Sequence, residues 1–219
     1  MLLGIDSHNL ESAGFCVLRD VDVARFIEIA GAMGRPTPTR RNGPVLDVLT
    51  PKREQDARPS TISSHYGLGQ FPWHSDGAVD KDPPRYILMR ADTVAADSAT
   101  TDILDLRSLG EGKTLKKYSR LSLLVNARNF SYLAPFVMRR NGVICAKWDP
   151  LRTTPTGKIA EEFLSDVPAA PPTAVHHWHP GDVLIIDNWR CLHRRSAATV
   201  GQRVIHRIVV KVERSNYVA

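Results

Sequence analysis

Pro180-Gly181-Asp182-Val183-Leu184-Ile185-Ile186-Asp187-Asn188-Trp189-Arg190-Cys191-Leu192-His193 sets the reading of this chain. An apolar strand runs through it and closes on a histidine. The next segment, Arg203-Val204-Ile205-His206-Arg207-Ile208-Val209-Val210-Lys211-Val212, alternates and is rich in β-branched residues, so it reads as a further strand. Arg203, Ile205, Arg207 and Val209 share one face of it, and Val204, His206, Ile208 and Val210 the other.

Far upstream lies Phe71-Pro72-Trp73-His74-Ser75-Asp76-Gly77. On extended backbone, residues i and i+2 point to the same side, so His74 and Asp76 project together and Ser75 turns away. Two imidazoles and one carboxylate can cap one face of a ferrous ion and leave the opposite face open. His74, Asp76 and His193 are therefore the candidate metal ligands. A His-x-Asp triplet alone is common. The distal His at the end of an apolar strand, and an Arg on the next strand, give this one its weight.

Arg207 shares its face with Ile and Val, where a lone charge is costly to bury. A planar guanidinium suits bidentate binding of a carboxylate. Two readings stay open: an internal salt bridge, or the anchor for the far carboxylate of a dicarboxylic cosubstrate.

Four stretches then carry a resemblance: Tyr66 through Asp76, Thr100 through Leu106, Trp178 through His193, and Arg203 through Arg207. In this order and company they resemble the taurine dioxygenase-like, Fe(II)- and 2-oxoglutarate-dependent oxygenases. The resemblance implies a double-stranded β-helix, or jelly roll, that is mainly β with flanking helices. It implies His74, Asp76 and His193 as iron ligands, and Arg207 with Thr101 beside it as the 2-oxoglutarate contacts. The implied reaction consumes O2 and 2-oxoglutarate, releases succinate and CO2, and oxidises an unactivated C–H of a small molecule, hydroxylation being the expected outcome. Ala96-Asp97-Ser98-Ala99-Thr100 precedes Thr101 where the family carries a Gly-Gly-acid run, so Thr100 is the alternative contact. Tyr66 and Trp73 flank the metal segment and are read either as substrate-pocket residues or as ordinary aromatic core. Arg203 is read either as a contact for an anionic substrate group or as a surface salt bridge.

Composition bounds the rest. The 219 residues are ample for one buried core, so residues 1–219 are read as a single oxygenase domain. A 42% hydrophobic and 24% charged composition is that of a globular chain. No apolar run approaches the ~20 residues of a membrane span. The opening Met1-Leu2-Leu3-Gly4-Ile5-Asp6 lacks a basic segment, which argues against a secretory signal. Cys16, Cys145 and Cys191 fit neither a disulfide framework nor a zinc site and are read as reduced thiols in a cytoplasm. The net charge of +6 raises nucleic acid as a partner, but the basic residues are scattered in pairs such as Arg40-Arg41 and Arg194-Arg195. The expected partner is a small molecule, with an anionic or amino-acid-like metabolite in view. An oxidative nucleic-acid or nucleotide demethylase, and a jelly-roll metal-binding sensor without turnover, are the competing readings. Oligomeric state is not readable.

Local signals place further elements. Asp22 is a candidate N-cap for a helix whose Val23, Phe26, Ile27, Ala30 and Met33 fall at helical spacing, with Gly34 and Pro36 as stop signals. Residues 37–60 read as loop around a strand at Val45–Leu49. Tyr86–Arg90 reads as a strand, and Glu111–Arg120 and Ile159–Leu164 as short helices. Val137–Trp148 reads as a hairpin turning at Asn141-Gly142. His176-His177-x-His179 is set aside as a second metal site, because adjacent residues on a strand face opposite ways. Cys191 is read as a core thiol and Asn188 as a backbone-satisfying side chain near the site.

Overall fold

The computed structural model describes residues 5–107, 113–140 and 143–212. It opens with helix α1 (Ser7–Ala13), strand β1 (Phe15–Leu18), helix α2 (Val23–Met33), and strands β2 (Arg35–Thr37) and β3 (Asp47–Leu49). Helix α3 (Ile62–Tyr66) precedes the metal segment, which strands β4 (Tyr86–Val94) and β5 (Thr101–Asp105) follow. Helix α4 (Lys113–Lys117) leads to strands β6 (Ser122–Asn126), β7 (Ser131–Pro135), β8 (Val137–Arg140), β9 (Val143–Ala146) and β10 (Thr153–Thr156). Helix α5 (Ala160–Ala169) and strands β11 (Ala174–His176), β12 (Val183–Asp187), β13 (Cys191–Arg195) and β14 (Arg203–Lys211) complete the order.

Two antiparallel sheets face each other. The larger runs β1-β12-β4-β14-β2, with β3 also pairing β14, and the smaller runs β11-β5-β13. Alternation along each strand builds the layers. Ile87, Met89, Leu184, Ile186, Ile205 and Val209 of the larger sheet meet Ile103 and Cys191 of the smaller between the two. Leu88, Val183, Ile185, Ile208 and Val210 point the other way, onto Phe26, Ile29 and Ala30 of α2 and Leu10 of α1. Leu104 and Leu192 leave the outer face of the smaller sheet for a third cluster with Tyr118, Phe136, Phe163 and Trp73. Covering both faces explains why β12 reads as an unbroken apolar run. This is the expected mainly β sandwich of jelly-roll type braced by helices.

The capping of α2 follows its sequence: the Asp22 side chain accepts from Arg25 N at 2.7 Å. Its phase differs from the spacing in one respect. Ile27 is 50% exposed, and Ile29 takes the place in the core. Helix α1 was not read from the sequence. Asp6 caps it by accepting from Asn9 N, and Gly14 ends it in the left-handed region at φ 82°. The helix expected at Ile159–Leu164 continues to Ala169 and takes Pro168 into its last turn. The hairpin is present as β8 paired with β9, Arg140 opposite Val143, while its turn Asn141-Gly142 lies outside the described residues, as do Glu111 and Gly112. Among the described residues no helix is long and apolar enough to cross a membrane.

Candidate metal centre

The metal segment joins the smaller sheet at one point. His74 N donates to His193 O at 3.1 Å, and His193 N donates to His74 O at 2.9 Å. The two histidines are thus direct antiparallel partners, which puts their rings on one side with centroids 4.4 Å apart. Asp76 follows two residues on, where the backbone leaves the bridge and enters a turn. Asn188 fixes that turn: its amide oxygen accepts from Asp76 N at 2.8 Å, and its NH2 donates to Asp76 O and Pro84 O. Ser75 does turn away, exchanging hydrogen bonds with the Trp148 backbone.

Nε2 of His74 and Nε2 of His193 each lie 4.0 Å from Asp76 Oδ1. One ligand atom from each residue falls within 4.8 Å of the others, and these three form the one such cluster among the described residues. Bonds of about 2.1 Å place two donors of a single ion at most about 4.2 Å apart, so a small inward closing suffices. His74 Nδ1 lies 2.9 Å from Pro72 O, and donating there leaves Nε2 with a free lone pair. The donor set of two imidazoles and a carboxylate suits Fe(II). Burial, with His74 next to it, pushes His193 down to about 3, so the ring is neutral and able to donate at neutral pH. Burial alone would raise the Asp76 carboxyl, but Arg207, His193 and His74 outweigh it and hold it below the ordinary carboxylate range.

Arg207 lies against this cluster. Its Nη1 donates to Asp76 Oδ2 and its Nη2 to Asp47 Oδ2, both at 2.9 Å. Both carboxylates belong to the protein, so the internal-salt-bridge reading of Arg207 describes its contacts. Burial would lower this guanidinium; Asp76 and Asp47 outweigh it and raise it.

The cluster opens into a cavity of about 610 Å³, a size suited to small organic ligands. Thr101, Arg195, Arg203 and Arg207 line it alongside His74, Asp76 and His193. Thr101 Oγ1 accepts from Trp178 Nε1 at 3.1 Å. Thr100 does not line the cavity, and its hydroxyl bonds Asp102. Arg195 and Arg203 are 8% and 7% exposed and have no carboxylate partner among the described residues. Nε and Nη1 of Arg195 are buried without a hydrogen-bond partner among the described residues, while its Nη2 donates to Gly67 O and Gly69 O. Burial brings Arg195 down to about 10, and burial together with Arg195 does the same to Arg203.

Two residues considered for the substrate pocket sit elsewhere. Trp73 is 1% exposed, donates to Ala170 O, and packs in the core under Arg194, because it alternates with His74 and faces the opposite side. Tyr66 ends α3 and does not line the cavity. Arg203 does line it. Asp47 and Arg195 were missed in the sequence. Arg195 was open to the same i, i+2 logic, being two residues past His193; Asp47 had no local signal. Cys191 is a core thiol against Gly14 O, and His176 is buried while His177 is exposed, so neither extends the metal cluster.

Comparison with known proteins agrees with this geometry. Residues 169–209, which carry His193, Arg203 and Arg207, match the model of the taurine catabolism dioxygenase TauD, TfdA family. An asparagine oxygenase in complex with Fe(II), 2S,3S-3-hydroxyasparagine and succinate superposes with a TM-score of 0.75 at 17% identity, over 94% of this chain and 77% of that one. By that segment the chain is similar to the TauD-like family, and it shares the fold of that oxygenase. Two further structures share the TauD-like fold. AAD-2, in complex with Mn(II) and N-oxalylglycine, gives 0.71 at 16% identity over 94% of this chain and 87% of its own. A taurine dioxygenase from Burkholderia xenovorans gives 0.66 at 17% identity over 95% and 83%. No curated protein sequence matches the chain.

Proposed function

We propose that this chain is an Fe(II)- and 2-oxoglutarate-dependent dioxygenase that hydroxylates an unactivated C–H of a small-molecule metabolite. The observation that carries the reading is the His74-Asp76-His193 cluster opening into a cavity that also holds two buried guanidiniums with no carboxylate partner among the described residues. Iron bound there with 2-oxoglutarate supplies the O2-dependent oxidation, with succinate and CO2 as co-products.

The protein's own groups hold and orient. His74, Asp76 and His193 would hold the metal on one face. Arg203 suits the far carboxylate of the diacid better than Arg207 does. Arg207 already has two carboxylates, whereas Arg203 is buried and, among the described residues, has only the Ala99 carbonyl as its acceptor. An unpaired buried charge is costly, and a diacid relieves that cost. Trp178 links the two sides of this subsite, since Arg203 stacks over its ring and Thr101 accepts its N–H. The sequence-based pairing of Arg207 with Thr101 thus becomes a pairing of Arg203 with Thr101.

An anionic substrate fits the rest of the cavity. Arg35, Lys52 and Arg58 line it with no acidic partner among the described residues, of which Asp76 and Asp80 are the carboxylates lining it. Asp80 already faces Lys211 at 3.7 Å. The excess of positive charge attracts anions and draws them toward the metal.

The test is succinate release from 2-oxoglutarate under O2 with added Fe(II), scored against a panel of anionic and amino-acid-like metabolites. Release stimulated by a panel member supports the reading. Iron binding with no release for any member favours the sensor alternative instead.

A further inference from the structure

We propose that Asp47 is a positioning residue for the metal centre, acting through Arg207 to hold Asp76 in a single-oxygen donor pose and to keep its charge available to the cation. The inference rests on the metal reading given above and adds a residue to it.

Asp47 lies on β3, directly opposite Arg207 of β14. It is 1% exposed and accepts from Thr39 Oγ1 at 2.6 Å, Arg40 Nη2 at 2.8 Å and Arg207 Nη2 at 2.9 Å. The same guanidinium gives its other terminal nitrogen to Asp76 Oδ2. A planar fork held at both ends has little freedom to turn. It therefore occupies Oδ2 and leaves Oδ1 facing both imidazoles at 4.0 Å. An Asp76 free to offer both oxygens would take one more site on the ion, at the expense of a ligand from solution.

Charge points the same way. Arg207 alone would neutralise Asp76 and compete with a cation for it. Asp47 balances Arg207, so the buried group of Asp47, Arg207 and Asp76 keeps one surplus negative charge. Arg40 also touches Asp47, but its side chain is 45% exposed and solvent screens its charge. Asp47 is itself no ligand, because both its oxygens are taken by donors.

The experiment titrates metal-free protein with Mn(II) and follows the free-ion EPR signal, which needs no turnover. Asp47→Asn is expected to weaken Mn(II) binding about 10- to 100-fold, as losing an outer-shell partner does. In an Arg207→Gln background the same change should cost less than about twofold, because the path through Arg207 is gone. Arg207→Lys keeps the charge but cannot span both carboxylates, so it too should bind Mn(II) more weakly; it serves if Asp47→Asn does not fold. Parent-like Mn(II) affinity in a folded Asp47→Asn or in Arg207→Lys overturns the proposal, as does an equal loss in both backgrounds. A parent protein that does not bind Mn(II) at all overturns the metal reading with it, and the two failures are thereby distinguished.

Discussion

His74 and His193 hydrogen-bond to each other through their backbones in both directions, although 118 residues separate them in the chain. Their side chains are free of that bridge. The scaffold that aligns the two rings thus does not depend on the rings. His193→Ala is expected to leave the fold intact and to weaken Mn(II) or Fe(II) binding by more than 100-fold, with succinate release lost. Far-UV CD and a metal titration check both halves. A His193→Ala protein that still turns over removes this residue from the centre.

Arg203 and Arg207 separate by readout. Arg203→Ala removes a charge-assisted contact worth about 1.5–3 kcal/mol, so the 2-oxoglutarate requirement should rise about 10- to 100-fold with metal affinity nearly unchanged. Arg207→Ala should weaken metal binding first. Cosubstrate titrations at saturating metal, beside metal titrations without cosubstrate, decide the matter. A large rise in the 2-oxoglutarate requirement for Arg207→Ala alone would restore the assignment read from the sequence.

Trp73 offers a test of burial against function. Trp73→Ala empties a core position and should cost about 3–5 kcal/mol of unfolding free energy. Trp73→Phe should recover part of that stability with an unchanged substrate requirement, because the ring does not reach the cavity. Chemical denaturation and a substrate titration give the two numbers. A raised KM in a stable Trp73→Phe would return this residue to the pocket.

What the sequence carried was local or periodic. Asp22 caps α2 because a single turn decides it. The alternation in β14 places Arg203, Ile205, Arg207 and Val209 on the cavity side, as read. His74, Asp76 and His193 stood out as a candidate donor set because few chemistries want those groups in that company, and the fold brings the three together. Asp47 was not legible, since its role comes from the register of β3 on β14, a pairing between segments about 160 residues apart. Which of Arg203 and Arg207 meets carboxylates of the protein was hidden for the same reason. Both guanidiniums lie on one face, and only the landing place of distant carboxylates tells which is already paired. Ile27 and Ile29 both suit an apolar helix face. Contact with the larger sheet chose Ile29.

His176 gives a pH dependence with a definite sign. Its ring is buried against Trp178, with Asp182 Oδ2 3.4 Å from its Nε2. Burial lowers it to about 4; Asp182 opposes this, while Arg19, His179 and His177 add to it. The folded value lies below the ordinary 6.5, so the unfolded chain binds the proton more readily. The neutral ring's contribution is therefore fully present above pH 6.5 and is lost as pH falls from 6.5 through 4. Over that window His176 makes the fold about 3 kcal/mol more sensitive to acid than an untitratable residue would. His176→Gln removes the proton uptake, so its unfolding free energy should fall less steeply than the parent's between pH 6.5 and 4 and run parallel to it above pH 7. Urea denaturation of both metal-free proteins at half-unit pH steps measures the difference. Curves that stay parallel throughout would mean that His176 keeps an ordinary proton affinity inside the fold.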